Sequence, residues 1–312
     1  MVWRGRPRTC APGGTNVTAV MSRSLDRLAE YFRPRKTRPG VLARRLLKIE
    51  APDADVLVEH LVRERRRYTR MDGSSQGSFV RTAWATWELL QLDSPPDHSG
   101  VVRTVGYLIP RQDQPGRHWG EGCAPDRHER RECQHYLNGF FSAATADEAL
   151  APLRFPSGVE LADEAGARFA ASCFALRSVL RAGEDRRTAV RRHLESLLDL
   201  ADLWEPAGRW STDLALFALG ALAFAPLDLR HRVGTALDAV ASRQGRDGNW
   251  PEASAFHAAD MLLSVPRAEA RRVVVRTAPE LWAALEQDGL TDGDEQEERA
   301  LIALRALLTP DA

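Results

Sequence analysis

Four residues of metal-binding type stand close together at Cys123-x4-His128-x4-Cys133-x-His135. Two thiolates and two imidazoles form a set that zinc takes tetrahedrally. Asp126, Glu129 and Glu132 would orient the imidazoles from behind. Four protein ligands would make the site structural, whereas an open fourth position would bind a thiolate or activate water. The spacing is not that of a standard finger, so the plain alternative is a loop with two free thiols and exposed histidines. A second group, Asp292-Gly293-Asp294-Glu295, clusters carboxylates at the start of the last helical stretch. A like-charge neighbour raises the pKa of one member, which keeps a carboxylic acid protonated for donation. The same residues suit a turn followed by an acidic first helical turn, with Glu297 and Glu298 continuing a solvated helix start. Asp53-Ala54-Asp55 has that plain reading too.

His257 and Asp260 lie three positions apart on one face of a predicted helix, with Glu252 just before it. They would project into a cavity as an acid/base pair. The competing reading is a histidine satisfied by a carbonyl, with Asp260 in a structural pair. The aromatics Phe79, Trp84, Trp87, Phe217, Phe224 and Phe256 would stabilise a cation through their π faces. At helical spacing they also serve as filling between helix layers, and most of them are expected there.

The elements that position these groups alternate in character. Helical spacing is expected over 22–32, with Ser24 as N-cap and Pro34 and Pro39-Gly40 as the stop, followed by a short basic helical stretch over 41–49. Half-polar helical patterns cover 52–67, 100–111, 186–203, 229–243 and 267–287. Nearly uncharged apolar patterns cover 79–92, 212–224 and 253–265, and 295–308 closes the chain. Outer helices wet on one side and inner helices buried on most sides imply two concentric layers. A turn recurs between them. Tyr107-Leu108-x3-Gln112 is followed by Gly116 and Trp119, a second copy reads Gln244 to Gly248 and Trp250, and partial copies stand at Gly77-Ser78-Phe79 and Gly208-Arg209-Trp210. Repeated turns between helix pairs indicate a closed or stacked helical array. The segment 113–163 breaks the rhythm with Gly, Pro, Cys, His and aromatics. Its Trp119, Tyr136, Phe140 and Phe141 argue for an ordered insertion.

The turn with Gln112, Gly116 and Trp119, the copy with Gln244, Gly248 and Trp250, and the apolar stretch Leu214–Leu219 resemble the repeats of squalene-hopene and oxidosqualene cyclases. That superfamily also includes the β-subunits of protein prenyltransferases. The resemblance covers roughly 51–308, without the insertion. It implies an all-α fold, a single (α/α) toroid of about five to six helix pairs with an apolar centre. It further implies that Gln112 and Gln244 cap helices and that Trp119 and Trp250 stack nearby, tying neighbouring pairs together. Asp292-Gly293-Asp294-Glu295 resembles a degraded form of the acid motif of class II terpene cyclases. Prenyltransferase β-subunits hold zinc with an Asp, a Cys and a His, and those ligands do not map onto this chain residue by residue. The length of 312 residues is one toroid's worth, which favours a prenyltransferase-like or stand-alone toroid over a full triterpene cyclase.

Composition excludes several classes. Acidic and basic residues balance at 43 each, so no global field attracts nucleic acid. No apolar run approaches the ~20 residues of a membrane span, which leaves peripheral membrane contact open. Residues 1–21 are expected to be an extension without a secretory signal, with Met21 an alternative start and 22–312 a single domain. The four cysteines do not form a small-domain disulfide framework, and a reducing cytoplasm is expected. The magnesium-diphosphate, phosphate-loop and nucleophile-elbow motifs are absent. Three functions follow as expectations. One is a terpene cyclase- or prenyltransferase-like protein acting on or binding an isoprenoid-type molecule in its centre. Another is a non-catalytic toroid binding a hydrophobic, prenylated or peptide partner, with a structural zinc. The last is a different α/α enzyme using two cavity carboxylates.

Overall fold

The computed structural model describes residues 14–113, 138–144, 148–205 and 210–310. The described residues are predominantly helical. They form α1 (Gly14–Phe32), α2 (Arg38–Leu46), α3 (Ala54–Arg67), α4 (Phe79–Gln91), α5 (Ser99–Leu108), α6 (Glu164–Arg181) and α7 (Thr188–Asp199). After these come α8 (Ala201–Trp204), α9 (Thr212–Leu222), α10 (Arg230–Ala241), α11 (Ala255–Leu263), α12 (Ala268–Asp288) and α13 (Asp294–Leu307). The sheet among them is a hairpin of β1 (Leu153–Arg154) and β2 (Glu160–Leu161), antiparallel with Leu153 opposite Leu161. No described helix is long and apolar enough to cross a membrane.

The packing follows the alternation of wet and apolar helices. Helix α4 packs on α6, α6 on α9, α9 on α11, α11 on α13, and α13 on α2. The pair Arg38–Glu88, at 3.2 Å, joins α2 back to α4. Helices α3, α5, α7, α10 and α12 lie against members of this set and against each other where they are neighbours. Five members of the set, α2, α4, α6, α9 and α11, start on a side-chain cap: Thr37, Ser78, Asp163, Ser211 and Ser254 accept from backbone N–H groups of their first turns. The capping side chains are exposed or half-buried, and they satisfy first-turn donors that have no partner within the helix. Helices α3, α7, α10 and α12 have no side-chain cap bond.

Several boundaries differ from expectation. Helix α1 begins at Gly14, so it overlaps the stretch expected as an extension, and Ser24 is buried within it rather than capping it. Pro39 and Gly40 sit in the first turn of α2 instead of ending the helix before it; proline lacks an N–H that this position does not use. Helix α6, which no local pattern indicated, is buried over almost its whole length.

The second turn motif behaves as a brace. Gln244 Nε2 donates to the carbonyl of Gly248 at 3.0 Å, to Val273 at 3.2 Å and to the Thr277 hydroxyl at 2.8 Å. Trp250 Nε1 donates to the same hydroxyl at 3.1 Å. The turn before α11 is thereby fastened to α12. Gly248 has φ +90°, and a Cβ there would lie 2.1 Å from the Arg276 carbonyl oxygen, so glycine alone allows the approach. In the first motif Gln112 Nε2 donates to the Gly139 carbonyl at 2.8 Å, tying the end of α5 to the insertion. Trp119 lies outside the described residues.

Candidate functional site

The first cluster is a buried network of charge. On α2, Arg38 contacts Glu88 of α4 and Glu298 of α13, and Arg65 of α3 reaches Glu88 at 2.7 Å. On α6, Arg177 Nη1 lies 3.1 Å from Asp260 of α11, and its Nη2 donates to Ser264 at 2.6 Å. Arg305 of α13 stands 3.7 Å from the other Asp260 oxygen. The aromatic rings share these cations: Arg177 and Arg181 lie 4.0 and 4.7 Å from the Trp87 ring, and Arg38 lies 5.5 Å from Trp84. Burial alone would raise the Asp260 carboxyl, but Arg177 and Arg305 hold it below the usual range. Glu298 goes the other way, because burial outweighs Arg38. Low local dielectric makes each pair strong and each uncompensated member costly. The expected near-absence of charge on the apolar helices is therefore corrected: Arg38, Glu88, Arg177, Asp260 and Glu298 are buried there, and each is met by a partner from another helix.

The second cluster sits at the starts of α9 and α11. Asp213 Oδ1 accepts from the Ser254 N–H at 3.2 Å, linking the two helix starts. Burial pushes the Asp213 carboxyl up to about 6, against the opposing effect of the Ser254 bond. His257 Nε2 lies 3.2 Å from the Asp213 carbonyl oxygen, so that nitrogen carries the proton and donates. Its Nδ1 has no hydrogen-bond partner among the described residues. Burial holds His257 down at about 4, so the ring is neutral near pH 7. The Phe217 ring packs on it at 4.1 Å. Phe155, at the turn of the β1–β2 hairpin, lies 4.6 Å from Phe217 and 5.6 Å from Phe174. The described part of the insertion thus packs an aromatic ring against α6 and α9.

Asp213 provides a direct test. Its folded pKa exceeds the unfolded value of 3.8, so the folded state holds the proton more tightly. That gain is complete below about pH 4 and is lost as pH rises through about 6. Asp213→Asn keeps an acceptor for Ser254 and removes the charge. We expect it to raise stability by about 2–3 kcal/mol at pH 8 and to leave it nearly unchanged at pH 4. Urea titrations at the two pH values check this.

The residues expected from the sequence separate in space. Asp292 is 97% exposed and pairs with Arg35 at 2.6 Å. Asp294 is exposed at the first position of α13, and Glu295 pairs with Arg154 at 2.8 Å. The next acids turn inward: Glu297 is buried and meets Arg35 and Thr37, and Glu298 is buried on Arg38. Their expected role as a solvated helix start is corrected by those partners. His257 and Asp260 are both buried, and Asp260 is engaged by arginines while His257 bonds a carbonyl. Of the aromatic set, Phe79, Trp87, Phe217 and Phe256 are in the core, and Trp84 and Phe224 are partly buried against it. Cys123, His128, Cys133 and His135 lie outside the described residues; among the described ones no group of three metal-ligating side chains assembles. Cys173 is buried, and burial pushes its thiol up. Sequence reasoning missed Asp213, Arg177 and Arg305. The capping position of Ser211 ahead of Asp213 was the available signal for the first. No protein-family model matches the chain, and no curated protein matches it.

Proposed function

We propose that the chain is a single (α/α) toroid, with α2, α4, α6, α9, α11 and α13 as its inner ring, that works as a binding or scaffold protein. The observation that carries this reading is the packing of rings and ion pairs between these helices. Rings of Trp87, Phe174, Phe155 and Phe217 pack on one another, beside the Arg38–Glu298 and Arg177–Asp260 pairs. A hydrophobic substrate entering there would have to displace aromatic contacts and strip neutralised charges of their partners. Binding then falls to the outer surface, and the turn motifs with Gln112, Gln244 and Trp250 keep the ring rigid, as the resemblance to terpenoid cyclases and prenyltransferases implies. A zinc on Cys123, His128, Cys133 and His135 would be structural in this reading.

One observation favours a second reading. Asp213 is a carboxyl that burial holds at about 6, and its backbone carbonyl bonds His257, whose ring packs on Phe217. A carboxyl pKa raised towards the working pH is one requirement of a cyclase-like proton donor.

Native mass spectrometry of the purified full chain, with oligoprenyl substrates incubated in parallel, separates the two. The scaffold reading expects no stoichiometric co-purified lipid and no turned-over substrate. A bound isoprenoid, or a product lost in Asp213→Asn, would establish the second reading instead. The same spectrum weighs a zinc.

A further inference from the structure

We infer that the turn joining α3 to α4, with the adjoining arginines, is a docking surface for an anionic lipid bilayer. The turn displays Met71 at 98% exposure and Tyr68 at 51%. Such exposure of a large apolar side chain is often the mark of a loose segment, but this turn is tightly held. Arg70 N–H donates to the Ser74 carbonyl at 2.8 Å, Gly73 N–H to Arg70 at 3.0 Å, and Gln76 N–H to Tyr68 at 3.1 Å. Arg103 of α5 donates to the Arg70 carbonyl at 2.8 Å. Gly73 has φ +89°, and a Cβ there would lie 2.3 Å from the Arg103 carbonyl oxygen, so the turn lies flush on α5. Methionine is therefore presented in a defined place.

The surroundings are cationic. Arg66 and Arg67 end α3, Arg70 and Arg103 belong to the turn and its support, and Arg111 stacks on Tyr107 beneath it. The acid at the tip, Asp72, stays exposed, but one of its oxygens accepts from the Ser74 N–H and hydroxyl at 2.9 and 2.7 Å, and its charge is opposed by Arg70 and Arg111. The helix macrodipole accounts for basic residues at the end of α3. It does not account for Arg103, Arg111 or the exposed methionine. A convex turn with an apolar tip and guanidiniums around it matches an interface of acyl chains under anionic headgroups. A protein partner would be expected to meet a concave, contiguous apolar patch, and nucleic acid would gain nothing from Met71.

Flotation of the full chain with phosphatidylcholine vesicles, with and without phosphatidylglycerol, tests this. Each arginine near such a surface raises partitioning by roughly fivefold. We expect binding to the anionic vesicles only, weakened by salt, and reduced by at least about tenfold in Arg67→Glu/Arg70→Glu. Met71→Asp should weaken it comparably, and Met71→Leu should preserve it. Leu227→Asp, at another exposed apolar residue on the α9–α10 connection, should leave it unchanged. Circular dichroism checks that each variant folds, and Met71 is exposed enough for that to hold. Failure of the wild type to float with anionic vesicles, equal binding to neutral ones, or full binding by folded Met71→Asp would overturn the inference. So would binding lost equally in Leu227→Asp.

Discussion

Arg38→Met should destabilise the protein by about 3–5 kcal/mol at pH 8, seen as a melting temperature lower by on the order of 10 °C. Arg38 is the buried cation at the seam between α2, α4 and α13, where it meets Glu88 and Glu298. Methionine fills much of the same volume, so the loss is mainly electrostatic. Two carboxylates remain in a low-dielectric site, and only Glu88 keeps a second partner, Arg65. The pH dependence sets this apart from a packing defect. In the variant Glu298, already raised by burial, loses the cation that lowers its pKa, so it moves further above its unfolded value and folding takes up a proton. The lost stability should return as pH falls from 8 towards 5, whereas a cavity would cost the same at both. The double variant Arg38→Met/Glu298→Met should recover part of the loss at pH 8, because it removes the more isolated charge together with its partner. Chemical denaturation of the two variants at both pH values gives the comparison. Equal loss at pH 8 and pH 5 would sink this account.

The second large effect is acid lability, expected from His193 and His257 in about equal shares and tested at His193. It is buried on α7 against Phe140 and Phe141, at ring distances of 4.7 and 5.9 Å. Neither ring nitrogen has a hydrogen-bond partner among the described residues. Burial holds its pKa down at about 3, and His257 is held at about 4. Both values lie below the ordinary 6.5, so the unfolded chain binds protons that the folded chain refuses. The stabilisation is whole above about pH 6.5 and is lost as pH falls below it. By pH 5 each histidine should have removed about 2 kcal/mol. Asp213 opposes them with about 1–1.5 kcal/mol, because its carboxyl gains a proton below about pH 6. The net effect between pH 7.5 and 5 is a loss. His193→Phe should remove nearly half of the histidine share, and it should also stabilise at pH 7.5, since two unbonded buried nitrogens disappear. Denaturant midpoints of wild type and variant across that range measure it. An unchanged slope with pH in His193→Phe would show that the ring is not the cause.

Arg38 and His193 are residues that the chain's local pattern did not single out. Helical spacing and the change from half-polar to apolar stretches were enough to place α3, α4, α5 and α9 to α13 close to their observed ends. That legibility has a local cause, since an amphipathic stripe and a capping Ser or Thr act within a few residues. Helix α6 lacks such a stripe. It carries Arg168 and Arg177 among alanines and serines, and it is buried because Glu164 meets one arginine and Asp260 the other. The acidic run at the last helix was legible as a group, but not how it divides. Asp292 and Asp294 face water, while Glu297 and Glu298 face arginines on and before α2.

The amino-acid sequence by itself determined that this protein is built from helices of two kinds, and where the braced turn at Gln244 and Trp250 would stand. Tertiary structure alone decided which charges are buried. A local window carries the free energy of a helix face but not that of a desolvated ion whose partner is distant. Arg168, met by Glu164 on its own helix, is the local case, while Arg38 and Arg177 depend on other helices. Arg38 and Glu298 are 260 residues apart, and Arg177 and Asp260 are 83 apart. Only the packed chain brings such partners within contact, and with them the character of the centre.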